Sequence, residues 1–299
     1  MHKNNIKLIA IDIDGTLANY ENRVSNENLR AMHIAKKLGI NVILATGRSH
    51  GYALQIFDQD QIDQYKMDKY DGVFSDGASV YIKGNNFVYR KFSNRDFDTL
   101  MFALAHYNLF NYAVFITKDS AYVVVEDPNL PNILVKEHEG IKSSVKYIVT
   151  LDRGLEAIVL NNIKDISSIG DILIVHIYRE VYEGQEPFND FFRTLHDELK
   201  QNFKVYITEH NDKIVISPLN TSKLVGVELY ARLYNININN ILSIGNDLND
   251  VQLLSSTGYS VAVKNAIKEV SDIAKCVSTK TNDEHSIADI IYKVISGRL

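Results

Sequence analysis

Cysteine is nearly absent from this chain of 299 residues, where Cys276 stands alone. One thiol excludes an intrachain disulfide framework and a cysteine-rich zinc site. Close to Ala274 and Val277, it is expected to be a buried structural thiol rather than a nucleophile. Proline is scarce too, at 4 residues, and no Pro- or Gly-rich stretch, repeat or low-complexity tract interrupts the chain. Joints between domains should therefore be short. Nowhere do roughly 18 apolar residues run together, which argues against a membrane-spanning helix. The first residues lack a long apolar stretch with a small-residue cleavage site, so no secretory signal is expected, and the expected location is the cytoplasm. A surplus of basic charge is missing as well. Lys and Arg number 32 against 37 Asp and Glu, a net charge of −5, which argues against a dedicated nucleic-acid binder.

What is present is an ordinary globular composition, 45% hydrophobic and 23% charged, too apolar for a disordered chain. At about 150 residues per domain, the length suggests two domains or one large one. Lys7–Ile11 and Ile40–Leu44 are short apolar runs, the pattern of strands buried on both faces. Between them Ser25 can cap a helix with apolar positions Leu29, Met32, Ala35 and Leu38, ended by Gly39. A helix from about His50 and a strand over Gly72–Ser75 complete β-α-β-α-β, the start of a doubly wound parallel sheet.

Near residue 78 the rhythm changes. Ser79–Ile82 and Phe87–Arg90 read as a hairpin. Strand runs at Tyr112–Ile116, Ala121–Val125, Glu156–Leu160, Ile172–Tyr178, Val205–Thr208 and Lys213–Ile216, with helices from Ser93 and over Pro187–Lys200, indicate an antiparallel α+β region. The βα rhythm returns with a helix over Ser222–Tyr234, strands over Asn240–Ile244 and Tyr259–Val263, and a final helix. The expected organisation is an α/β core from residues 1–83 and 217–299, with an α+β domain inserted at 84–216.

Four segments fall at strand ends or helix starts, where an open parallel sheet forms its ligand crevice. In Asp12-Ile-Asp14-Gly15-Thr16, strand alternation would put both carboxylates on one side. Such a pair can hold a hard divalent cation, and one member can attack phosphorus. Taken alone, it reads equally as a polar strand end with a glycine turn. Thr46-Gly47-Arg48 offers a hydroxyl, a backbone N–H and close backbone approach to a phosphate, although such turns are common. Lys223, opening a helix after Ser222, could meet a phosphate and Asp12, whereas an isolated lysine is usually a solvated charge. Gly245-Asn246-Asp247-Leu248-Asn249-Asp250 supplies further oxygens or an Asx-rich helix cap.

Together these segments resemble the haloacid dehalogenase superfamily, specifically its Cof-type branch of sugar-phosphate phosphatases. Asp12-x-Asp14-Gly-Thr16, Thr46-Gly-Arg48, Lys223 and Gly245–Asp250 are similar to its four motifs, while Val261–Ala266, with Asn265, and Thr281–Glu284 resemble secondary features. The resemblance implies a Rossmann-like core with an inserted α/β cap, a Mg²⁺ cofactor and a small phosphorylated metabolite as substrate. It further implies that Asp12 is the nucleophile, Asp14 the acid and base, and Thr46, Gly47 and Lys223 the phosphate contacts. Asp12, Asp14, Asn246 and Asp250 would hold the metal, with Arg48, Asp247, Asn249 and Asn265 around them. One position departs from the pattern: Asn246 stands where the family usually has an aspartate, which removes one negative charge. A milder departure is Asp76, before Gly77-Ala78, where the family tends to have Asn. A phosphate-ligand binding protein with weakened catalysis and a phosphotransferase or mutase are the alternatives. A dinucleotide-binding domain fits poorly, since no Gly-x-Gly-x-x-Gly follows the first strand.

Overall fold

The computed structural model describes residues 5–124, 148–150, 156–178, 188–208 and 213–299. The chain opens with β1 (Leu8–Ile11), α1 (Asn26–Lys37), β2 (Asn41–Ala45), α2 (His50–Leu54), α3 (Gln59–Tyr65), β3 (Gly72–Phe74), β4 (Ser79–Ile82) and β5 (Asn85–Val88). There follow α4 (Asn94–His106), β6 (Ala113–Thr117), β7 (Ala121–Val124), β8 (Ile148–Thr150), β9 (Glu156–Leu160), β10 (Ile172–Tyr178), α5 (Phe188–Leu199), β11 (Phe203–Ile207) and β12 (Lys213–Pro218). The last part holds α6 (Lys223–Leu233), β13 (Ile241–Gly245), α7 (Val251–Ser256), β14 (Tyr259–Ala262), α8 (Lys268–Ile273), β15 (Cys276–Val277) and α9 (Ser286–Ile295). The expected element ends at Val125 and Pro187 lie outside the described residues.

Two compact units emerge. The first combines the residues up to Tyr89 with Ser222–Leu299, and the second is Arg90–Thr221. In the first, the strand order is β15-β14-β13-β1-β2-β3-β4-β5, parallel from β15 to β3 and antiparallel where β4 pairs with β3 and with β5. The unbroken apolar runs are explained by burial on both faces. On β1, Ile9 and Ile11 join the core layer that includes Met32 of α1 and Ile287 and Ile291 of α9. Leu8 and Ala10 join the opposite layer, with Val227, Tyr230 and Ala231 of α6. Burying one such large side chain contributes about 1.5–3 kcal/mol. Serine caps set the helix starts: Ser25 Oγ accepts the Asn28 N–H, and Ser222 Oγ accepts that of Val225.

The second unit is a seven-stranded sheet, β11-β12-β10-β6-β7-β9-β8, antiparallel except where β7 and β9 run together. Leu100 and Leu104 of α4 and Leu195 and Leu199 of α5 pack with Val175, Ile177, Ile214 and Ile216 on one face. Two expectations change. Asn85–Val88 pairs with β4, so the hairpin belongs wholly to the first sheet, and Pro218 lies in the second. The unit boundaries accordingly fall at 89/90 and 221/222 instead of 83/84 and 216/217. Cys276 is exposed, not buried, because its two-residue strand forms the outer edge of the first sheet.

Candidate active site

β1 is flanked by β2 and β13, so the connections leaving all three strands open at the same sheet end. The Asp12 N–H donates to the Ile244 carbonyl at 3.0 Å, the last rung of the ladder. The chain then leaves the strand in a wide turn, in which the Ala18 N–H donates to the Ile13 carbonyl at 2.9 Å and Gly15 has φ +71°. A Cβ at Gly15 would lie 2.5 Å from the Asn246 amide nitrogen, so glycine lets that side chain approach. The strand alternation expected for Asp12 and Asp14 is absent here. The two carboxylates take different partners.

Asp12 Oδ1 accepts the Lys223 ammonium at 2.6 Å, and Asp250 Oδ1 accepts it at 2.8 Å, all three side chains being buried. Burial, with Asp250 adding, pushes the Asp12 carboxyl well above the usual carboxylate range, while Lys223 pulls it back. Burial alone would lower the lysine, but Asp12 and Asp250 outweigh it and hold the ammonium charged. Asp250 Oδ2 accepts the N–H groups of Asn246 and Asp247 at 2.9 and 3.2 Å. Asp14, by contrast, is gripped on both oxygens by Arg48, at 2.6 Å from Nη2 and 3.0 Å from Nε. Arg48 Nη2 also donates to Asn22, and its guanidinium lies 4.2 Å from the centre of the Tyr52 ring. Burial opposes the charge on Arg48, yet Asp14 raises its pKa overall. Its Nη1 is buried with no hydrogen-bond partner.

The Thr46–Arg48 turn is held from behind. The Thr46 N–H donates to the Val73 carbonyl at 2.9 Å, so it is committed to the sheet, which leaves the hydroxyl as the group of this residue that could meet a phosphate. That hydroxyl accepts the Arg48 N–H at 3.1 Å. Ser75 and Asp76 both have φ +51° and Gly77 has φ +95°. Their turn clasps the other: the Ser75 N–H donates to the Arg48 carbonyl at 2.8 Å and the Asp76 N–H to that of Thr46 at 3.0 Å. Asn249 donates to the buried Asp76 carboxylate at 3.1 Å, and a Cβ on Gly47 would lie 3.2 Å from the same carboxylate oxygen. Asp76 escaped the sequence reading as a site residue. Its local signal was only the Asp-Gly turn pair.

The remaining side chains sort clearly. The end of the Asn246 side chain lies among oxygens of Asp12, Asp14 and Thr16. Asp247 accepts the Leu248 N–H at 2.6 Å and caps the following turn. Asn265 Nδ2 donates to the Gly15 carbonyl at 2.8 Å, while its Oδ1 accepts the Asn282 N–H at 3.0 Å. Asn282 in turn donates to the Ala18 carbonyl, so two carboxamides brace the turn that carries Asp14.

The chain belongs to the haloacid dehalogenase-like hydrolases, whose family model matches residues 9–291. Within them it is a Cof-type phosphatase. It is 27% identical to the phosphatase YwpJ of Bacillus subtilis, over 97% of this chain and 100% of that one. It is also 27% identical to YwtE of the same organism, a 5-amino-6-(5-phospho-D-ribitylamino)uracil phosphatase, over 98% and 99% of the two chains. A crystal structure of a HAD/COF-like hydrolase from Plasmodium vivax superposes with a TM-score of 0.80 at 25% identity, covering 99% of this chain and 97% of that one. The family implies a divalent metal cofactor. Among the described residues, no three His, Cys, Asp or Glu side chains group to hold a metal ion. The oxygens present nonetheless suit one, because Asp12 Oδ2 and the Asp14 carbonyl are hard donors that meet at the end of the Asn246 side chain, whose carboxamide carries one further oxygen. Among the described residues, no helix is long and apolar enough to cross a membrane.

Proposed function

We propose that this phosphatase hydrolyses small phosphate esters with Mg²⁺, through an aspartyl-phosphate on Asp12. The observation that carries the reading is the buried Asp12–Lys223–Asp250 cluster beside the Asp14–Arg48 pair. In the first step an Asp12 oxygen forms a bond to phosphorus as the ester P–O bond breaks. The departing alkoxide takes its proton from Asp14, which for this step has to be protonated and released from the Arg48 ion pair. In the second step Asp14 removes a proton from water, which attacks the acyl phosphate and frees Asp12 and phosphate. Lys223 and the Thr46 hydroxyl neutralise and orient the phosphoryl oxygens, where catalysis of this transfer is concentrated. The buried Arg48 Nη1 is a further donor for an anionic substrate. Asp12, the Asp14 carbonyl and Asn246 would hold Mg²⁺, with Asp250 adding charge behind them. When bound, the cation offsets carboxylate–phosphate repulsion.

The ribitylamino-uracil phosphate named for one relative makes polyol phosphates the first substrates to screen. With a generic aryl phosphate, Asp12→Asn should lower turnover at least about a thousandfold, the scale of removing a nucleophile. Equal rates for variant and wild type would exclude the covalent route.

A further inference from the structure

The end of the Asn246 side chain lies 2.7 Å from the Asp14 carbonyl oxygen, 2.9 Å from Thr16 Oγ1 and 3.0 Å from Asp12 Oδ2. The first and last of these are acceptors, whereas a hydroxyl serves in either role. A carboxamide has an oxygen on one arm and two N–H groups on the other, and the surrounding partners decide which arm faces inward. With nitrogen inward, its two N–H groups can serve the Asp14 carbonyl and Asp12 Oδ2, with the Thr16 hydroxyl also within reach. With oxygen inward, Thr16 still donates to it at 2.9 Å. The carbonyl and carboxylate oxygens then face a third oxygen with nothing positive between them.

We propose that Asn246 is a two-position gate on the cation site, closed with its amide nitrogen inward and open with its oxygen inward. The proposal rests on the metal-dependent reading above. In the closed position Asp12 has a donor on each oxygen, Lys223 at Oδ1 and Asn246 at Oδ2. Asp250 has donors on both of its own oxygens. The pocket is thus satisfied with no cation, and a cation has to turn the amide before it can bind. An aspartate could not close the gate, because an ionised carboxylate has no proton to donate. Gly15 is part of the device, since any side chain there would collide with the amide.

The test is thermal melting of the full chain, as wild type, Asn246→Asp and Asn246→Ala, each in EDTA and in saturating MgCl₂. In EDTA, Asn246→Asp should melt at least about 4 °C below wild type, a shift of ordinary size for losing buried hydrogen bonds in a domain of this length. Asn246→Ala, which lacks the donors and adds no charge, should also melt below wild type. MgCl₂ should raise the melting temperature of Asn246→Asp more than that of wild type, since Mg²⁺ is held through carboxylates and the variant supplies one more. Equal stability of Asn246→Ala and wild type in EDTA would overturn the gate, as would equal Mg²⁺ shifts for Asn246→Asp and wild type. The Asp12→Asn assay separates the two readings. Hydrolysis that needs Asp12, together with equal shifts, keeps the phosphatase mechanism and removes the gate. Unequal shifts without such hydrolysis keep the gate and remove the mechanism.

Discussion

His176 lies on the interior strand β10 with its Nδ1 buried and without a hydrogen-bond partner, its ring edge-on to Tyr178 at 6.1 Å. Burial, with Lys213 adding, lowers its pKa well below the ordinary 6.5, so the ring stays neutral in the fold. In the window below 6.5 the unfolded chain therefore binds a proton that the folded chain does not. Stability from this group is complete above pH 6.5 and is lost as pH falls, by up to about 1.4 kcal/mol per pH unit. Urea denaturation at pH 7.5 and pH 5 should show wild type losing more stability than His176→Phe. An unchanged difference between the two proteins would mean that the ring is charged or hydrated when folded. At this scale the sequence revealed chemical identity better than partnership. Asp12, Thr46 and Lys223 could be picked out from residue type and position after a strand. The Asp14–Arg48 grip and the Asn246 contacts could not, since the first depends on a turn replacing a strand. The second joins Asn246 to Thr16, 230 positions away, and to residues still earlier in the chain.

The Ser75–Gly77 turn holds two parts of the site at once, the Thr46–Arg48 turn and the start of α6. A Cβ on Gly77 would lie 2.0 Å from the Ser222 carbonyl, the residue that caps the helix carrying Lys223. Gly39 also has a positive φ, +84°, yet a Cβ there would meet nothing within 4 Å. Gly39→Ala should therefore lose only the conformational term, about 1–2 kcal/mol. Gly77→Ala adds a backbone collision and should lose upwards of about 3 kcal/mol, together with most phosphatase activity as α6 shifts. Chemical denaturation of both variants checks the pair, and equal losses would show that the turn yields easily. Capped helices such as α1 and α6 were legible because a cap is a local signal. The two-residue β15 and the membership of β5 were not, because each is decided by the strand it meets.

Both chain crossings into Arg90–Thr221 leave the first unit beside one turn. The Tyr89 N–H donates to the Ala78 carbonyl at 2.7 Å, and Gly77 abuts Ser222. The first unit also has its own core layers on both sheet faces. A shortened chain, with a brief Gly/Ser loop replacing Arg90–Thr221, should therefore melt cooperatively, as followed by circular dichroism. A featureless melt would mean that the first unit depends on the second for its stability.

The central strand of the first sheet is also among its earliest made. β1 pairs on one edge with β2, close behind it in the chain, and on the other with β13, which ends at Gly245. A ribosome adding about 5–20 residues per second needs on the order of 10–50 s to travel from Ile11 to Gly245. Through that interval the second edge of β1 keeps its open N–H and C=O groups, and its apolar side chains await half their covering. The inserted unit, whose described strands all pair within its own stretch, can be finished while the unit around it is still half built. The domain that is begun first is completed last, and its period of greatest vulnerability is spent during synthesis.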